Sequence, residues 1–346
     1  MRKKLLSLLT AATLIALTAC TNSTSNTTPS PAPAQSETLP KTDTLVIYTS
    51  MKDSLMDALV VHFADNNPDI GVEVLIEGAG NLMIKIDEER DSGKIYADMI
   101  WTSEVPDFYY LKSQDLLAQY RPAGADNAFN PLEESDDYFF PARLGTMGIA
   151  YNTQLVTTPP TAWSDLFGET YKDGFAIANP ETSGTAMMGI ALLKEAFGTD
   201  FFANLKANGT VVGGGSTSVI DSVADGSIAA CLAVDYITFD KANSGSPIAL
   251  AYPQEMLVIP SPAAIFKDSD NLLNAQKFAD FLLSAEAQTI IAESGTLPVL
   301  DGIAVPDEYN IPAVADAKAR AIDIEHSKVF EQKAQILRDV LSIMWD

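Results

Sequence analysis

Asn179-Pro180-Glu181-Thr182-Ser183-Gly184-Thr185-Ala186 follows the apolar run Phe175-Ala176-Ile177-Ala178 and leads into a helical pattern reaching about Phe197. The stretch therefore reads as a strand end followed by a helix start. Amides in the first turn of a helix have no partner inside the helix, so Ser183, Gly184 and Thr185 offer free donors and hydroxyls at its positive end. That is a seat for an anion. The same residue types serve an ordinary helix cap, and what favours the seat is recurrence of the arrangement.

Working outward, Leu45-Val46-Ile47-Tyr48-Thr49 is a strand run, and Ser50 to Asp53 has capping-box spacing before a helix with Leu55, Met56, Leu59, Val60 and Phe63 on one face. Val72–Ile76, a helix over Asn81–Arg90, and Asp98–Trp101 continue the alternation and end at Thr102-Ser103-Glu104. After Gly145–Tyr151 the pattern restarts. Thr210-Val211-Val212 leads through three glycines to Ser216-Thr217-Ser218, where Ser218 and Asp221 again have capping-box spacing. Ile228–Val234 is a buried strand ending at Asp235-Tyr236. Ala249–Tyr252 and Leu257–Ile265 read as strands, Asn271–Ser294 as a helix pair broken near Ser284, and the terminal segment as a docking helix.

Alternating strands and helices imply α/β lobes with mainly parallel sheets flanked by helices. In such sheets ligands bind outside the carboxyl ends of the strands. Ser50, Ser103, Thr182–Thr185, Ser216–Ser218 and Asp235-Tyr236 all fall at such ends.

Residues 1–19 carry Arg2-Lys3-Lys4, an apolar run from Leu5 to Leu17, and small residues before Cys20, the pattern of a lipoprotein signal. Lipidated Cys20 and a disordered, Thr/Ser/Asn/Pro-rich tether occupy 20–43. Cys231 then lacks a partner and reads as a buried, inert thiol. The net charge is −24, and loss of Arg2, Lys3 and Lys4 with the leader takes it to −27. Such a chain avoids nucleic acid and anionic lipid, yet can hold a small anion locally because screening confines distant charges beyond ~8 to 10 Å.

The set Val46–Ser50, Ala97–Trp101, Gly148–Asn152, Thr182–Ala186, Tyr252–Glu255, and Phe278–Ser284 with Glu286–Gln288 resembles the extracytoplasmic solute-binding proteins of ABC transporters. The likeness is to the branch containing ferric-iron-binding proteins and their sugar-phosphate and phosphonate relatives. It implies the two-lobed type II periplasmic-binding-protein fold, with crossing hinge strands near Leu144–Tyr151 and Tyr252–Ile265. Lobe 1 is expected over 44–146 plus about 253–300, and lobe 2 over 147–252 plus about 301–346.

The resemblance also implies capture of a small phosphate ester or phosphonate and its delivery to a membrane permease, with no cofactor. Ser50, Ser103, Thr182, Ser183, Gly184, Thr185, Ser216, Thr217 and Ser218 are expected to hold the phosphoryl group, while Asp235, Tyr236 and Glu255 line the rest of the crevice. The carboxylates would take sugar hydroxyls or an amine. Arg143 reads equally as part of the anion site or as a bridge between lobes, and Trp101 as core.

The alternative is ferric iron with a synergistic anion. The tandem-tyrosine position of the iron binders reads Asp235-Tyr236 here, and the first strand-to-helix turn holds no histidine, which disfavours a hard trivalent ion. His62 and His326 are poorly placed as ligands, and Tyr109-Tyr110 reads as packing. No metal site is expected. An enzyme is disfavoured because no nucleophile elbow, zinc-protease motif or phosphate-binding loop with lysine occurs.

Overall fold

The computed structural model describes residues 44–132 and 135–345; the signal segment, Cys20 and the tether lie outside the described residues. β1 (Thr44–Thr49), α1 (Asp53–Asn66), β2 (Gly71–Ile76), α2 (Ala79–Asp91), β3 (Met99–Trp101) and α3 (Val105–Ser113) alternate as the sequence implies. The long strand β4 (Phe140–Asn152) follows, then β5 (Phe175–Ile177), α4 (Gly184–Ala207), β6 (Val211–Val212), α5 (Ser216–Ala224), β7 (Ala230–Val234) and α6 (Asp235–Asn243). β8 (Ile248–Ala251), β9 (Leu257–Ile265), α7 (Leu272–Leu282), α8 (Ala285–Glu293), α9 (Val314–Arg320) and α10 (His326–Trp345) complete the chain.

The strands form one sheet in the order β2-β1-β3-β9-β4-β7-β5-β6, with β8 also paired to β4. β1, β2 and β3 are mutually parallel at one end, and β5, β6 and β7 at the other. Between them, β4 and β9 run antiparallel to each other and to β7 and β3 respectively. The first half of β4 pairs with β9 from Phe140 to Met147, and its second half with β7 and β8. β4 and β9 are thus the crossing strands expected near Leu144 and Tyr252–Ile265. Every residue of both is buried, as required of strands that lie between two helix layers. Gly148 has a steric reason here, since a Cβ would strike the carbonyl of Ala251.

Two capping boxes do not form. α1 starts at Asp53 with Lys52 at its N-cap and no side-chain cap, because the Thr49 hydroxyl takes the Met51 amide and the chain stays extended through Lys52. α5 starts at Ser216, two residues before Ser218, with Gly215 at its N-cap. Ser284 does cap α8, accepting from the Ala287 amide. Gly198, at φ 70°, breaks α4 where the helical pattern was expected to end. α10 buries Val329, Ile336, Val340, Leu341 and Met344 and packs on α4 and α3. Cys231 is free and buried, and burial pushes its thiol far above the usual range.

Candidate functional site

The turn after β5 folds through Asn179, whose side-chain oxygen takes the Glu181 amide and whose carbonyl takes those of Thr182 and Ser183. Ser183 is then the true N-cap of α4, with its Oγ accepting from the Ala186 amide at 3.3 Å. The turn after β6 delivers the start of α5 to the same place. Ser183 Oγ lies 2.9 Å from Ser216 Oγ and 3.2 Å from Thr185 Oγ1, which is 3.4 Å from Ser216 Oγ. Three hydroxyls from two helix heads therefore meet at one point. Among the described residues, no acceptor meets the amides of Gly184, Thr185, Ser216, Thr217 or Ser218. Five free donors at two positive helix ends form an arrangement that attracts an anion.

A second group sits on the hinge. Arg143, on β4, is 4% exposed, and its Nη2 donates to Ser103 Oγ at 3.4 Å while Nε has no partner. Ser103 Oγ is 2.8 Å from Ser261 Oγ on β9. The guanidinium stands 5.2 Å from the centre of the Tyr236 ring, and Lys52 Nζ stands 5.0 Å from the same ring. Two cations thus flank one phenol. Lys52 also pairs with Asp240 at 2.7 Å, tying the start of α1 to α6.

Asp235 is fully buried, and protein donors take up its carboxylate. Oδ2 accepts from the Thr146 amide at 2.8 Å and the Thr146 hydroxyl at 2.9 Å, and Oδ1 from the Tyr236 amide at 2.7 Å. Thr146 Oγ1 also lies 2.8 Å from the Tyr252 hydroxyl. Burial pushes the Asp235 carboxyl up and the Arg143 guanidinium down, each held back by the opposite charge of the other. Burial likewise raises the Tyr236 and Tyr252 phenols, Tyr252 well above its ordinary value.

The expected residues therefore separate. Ser183, Gly184, Thr185 and Ser216 share one point; Ser103 and Tyr236 belong to the hinge group with Arg143. Asp235 joins that group as a buried acceptor instead of presenting its carboxylate to a solute. Glu255 is exposed, engaged through its backbone carbonyl by Trp163 Nε1 at 2.9 Å, and nothing places its carboxylate beside the hydroxyls. Thr182 turns its hydroxyl back to the Asn179 carbonyl, Thr217 and Ser218 are exposed on the first turn of α5, and Ser50 is half-buried at the end of β1. Trp101 is core, with Nε1 on the Ser261 carbonyl. Tyr109 is buried, and Tyr110 is half-buried against Arg90 and Asp87.

Sequence reasoning missed two acids beside the hydroxyls. Glu104 and Asp107, at the head of α3, line a cavity of about 340 Å³ with Thr182, Ser183, Gly184 and Lys333. Glu104 Oε1 accepts from Lys333 Nζ at 3.0 Å. Burial, then the Glu104 charge, pushes Asp107 up to about 7 against the opposing pull of Lys333. The only sequence signal was position, since Glu104 ends the same strand-to-helix turn as Ser103.

Among the described residues, no group of three or more His, Cys, Asp or Glu is arranged to hold a metal ion, and no helix is long and apolar enough to cross a membrane.

Comparison with known proteins gives the family and the fold. A protein of Salmonella paratyphi A, provisionally named as a 2-aminoethylphosphonate-binding periplasmic protein, is 23% identical over 256 residues, covering 69% of this chain and 73% of its own. The fold matches the periplasmic binding protein AfuA of Actinobacillus pleuropneumoniae with fructose-6-phosphate bound at TM-score 0.70 and 21% identity, over 87% of this chain and 98% of that one. Iron-bound HitA from Pseudomonas aeruginosa matches at TM-score 0.68 and 25% identity, over 86% and 99%. The family model for bacterial extracellular solute-binding proteins matches residues 58–320, and the chain belongs to that family.

Proposed function

We propose that the chain is the receptor of an ABC importer for a small phosphate ester or phosphonate, and that it hands this solute to a membrane permease. The observation that carries the reading is the meeting of two helix heads, where the hydroxyls of Ser183, Thr185 and Ser216 cluster and, among the described residues, five first-turn amides have no acceptor. A phosphoryl group has oxygens enough to engage several of them at once. Charge-assisted hydrogen bonds contribute roughly 1.5 to 3 kcal/mol each, so three or four reach micromolar affinity after ordering costs. Arg143, with its unpaired Nε, adds a fixed positive charge in the hinge floor. The relatives named for 2-aminoethylphosphonate and solved with fructose-6-phosphate support this solute class.

The two lobes are 44–146 with about 253–300 and 147–252 with about 301–346; the split pairing of β4 supports the boundary near 147, whereas Val314 and Ala317 of α9 pack with β1 and α1. Closure of one over the other buries the solute, and the closed shape is what the permease recognises. Acylation of Cys20 tethers the receptor outside the cytoplasmic membrane, and a receptor that releases its solute unchanged needs no catalytic group.

Ferric iron with an exogenous anion is the second reading, supported by the iron-bound neighbour and by Tyr236 at the head of α6. Against it stand burial, which raises the Tyr236 phenol and opposes a phenolate, and the two cations on its ring, which repel a trivalent ion even though the Arg143 charge itself favours the phenolate. The test is to purify the protein without added solute, denature it, and analyse what it releases by mass spectrometry and elemental analysis. A stoichiometric organophosphate or phosphonate is the expected result. Stoichiometric iron, with a visible phenolate charge-transfer band in the native protein, would give the second reading the lead.

A further inference from the structure

Glu104 stands beside the head of α4, next to the place where the solute is proposed to bind. It is the N-cap of α3 but makes no side-chain cap bond, so its carboxylate is not committed to its own helix. One oxygen is paired with Lys333, and the other occupies the space that a Cβ on Gly184 would fill, at the first residue of α4. The residue is 8% exposed and lines the cavity shared by Thr182, Ser183 and Gly184. Only a glycine at 184 allows this approach, and the approach brings an anion of the protein itself to the helix head.

We infer that Glu104 is a specificity-determining residue, an internal competitor whose carboxylate rests at the head of α4 until a solute anion displaces it. The inference rests on the anion seat proposed above. A carboxylate and a phosphoryl dianion cannot share one positive helix end in a half-buried cavity, since their repulsion is poorly screened there. A simple carboxylic acid would exchange like for like and gain little. A tetrahedral phosphoryl group, with more oxygens and more charge, displaces Glu104 and leaves it paired to Lys333. The Glu104 carboxylate beside the seat thus lowers the apparent affinity of every anion by the fraction of time the seat is open, and only a solute with a phosphoryl group's oxygens and charge retains useful affinity.

Removing the side chain costs α3 no capping bond, because the Glu104 amide, held by Thr102 Oγ1 at 3.4 Å, is retained. Calorimetric titration of inorganic phosphate, 2-aminoethylphosphonate and acetate into wild type, Glu104→Ala, Glu104→Gln and Thr185→Glu tests the idea, with circular dichroism confirming the fold. The expected result is about fivefold or greater tightening of phosphate and phosphonate in Glu104→Ala. Acetate should gain by a similar factor from a weaker start, and the isosteric Glu104→Gln should show a smaller gain of the same sign. Unchanged or weakened binding in both Glu104 variants, with wild type still binding and Thr185→Glu not, overturns the competitor and leaves the seat standing. If neither wild type nor any variant binds a probe, the seat itself falls and this inference with it.

Discussion

The helix heads of α4 and α5 and the hinge group around Asp235 both lie at strand ends, both are rich in hydrogen-bonding groups, and they are built in opposite senses. At the helix heads the hydroxyls cluster with one another, only Ser183 also caps its helix at the Ala186 amide, and the amides of Gly184, Thr185, Ser216, Thr217 and Ser218 have no acceptor among the described residues. In the hinge group the Asp235 carboxylate is enclosed and satisfied by Thr146 and the Tyr236 amide, with Arg143 supplying the opposing charge. Unpaired donors at a partly open surface are suited to a ligand, whereas paired groups in a buried layer define how strands cross. Polar residues at the end of a strand are therefore not a binding site until their partners are counted.

The sharpest way to break this contrast is Asp235→Ala. It removes a buried acceptor from three donors and leaves Arg143 without its counter-charge, so global stability should fall by about 3 to 5 kcal/mol in denaturant titration. A variant of near wild-type stability that has lost solute binding would turn the hinge group back into a ligand site. Thr185→Glu probes the other region. A carboxylate among the hydroxyls of Ser183 and Ser216 should weaken 2-aminoethylphosphonate or fructose-6-phosphate binding by about 100-fold, or 2.7 kcal/mol, while the melting transition stays within a few degrees. Undiminished affinity would remove the seat from α4.

Much of this arrangement was legible beforehand, and the reason is local. Strand runs, helix faces and the glycine-serine turns announce themselves within a window of a dozen residues, so the strands and the α4 start were readable from pattern, while the crossing of β4 and β9 was implied by the family resemblance. The partner of a polar side chain is not local. Thr146 meets Asp235 from 89 residues away, Lys52 meets Tyr236 across 184, and Glu104 meets Lys333 across 229. Asp235 and Glu255 were assigned a facing that the fold decides otherwise, Asp235 opening α6 on the Thr146 donors and Glu255 lying exposed between β8 and β9, while Glu104 gave no signal beyond its position because its partner is a lysine in the last helix. The failed boxes at Ser50 and Ser218 teach the same point at shorter range, since spacing permits a cap but the preceding turn decides where the helix starts.

Asp107 sharpens the comparison through pH. Its folded pKa, about 7, lies above the ordinary carboxylate value because of burial and the neighbouring Glu104 charge. The folded state therefore binds this proton more tightly than the unfolded chain. The associated stability is fully present below the unfolded value near 3.8 and is lost as pH rises through 7. Asp107→Asn should flatten that part of the stability profile and stabilise the protein above pH 7 by about 1 to 2 kcal/mol, allowing for partial solvent screening. A profile unchanged by the substitution would mean that the cavity beside the helix heads is wetter than its geometry indicates.

Lys52 borders the hinge group at the start of α1, and its expected effect is the smallest. The ion pair with Asp240 joins the start of α1 to α6, but Asp240 is 60% exposed, so the pair stabilises the fold by no more than about 0.5 kcal/mol. The consequence of Lys52→Met should appear in kinetics. If this contact is made only when the lobes are closed, removing it raises the rate of solute release about twofold, with little change in unfolding free energy. Stopped-flow release of a bound phosphonate, set beside a denaturant titration, separates the two. An equal loss in both would place Lys52 in the permanent hinge layer with Asp235, and the boundary between the enclosed group and the solute-facing group would shift outward by one side chain.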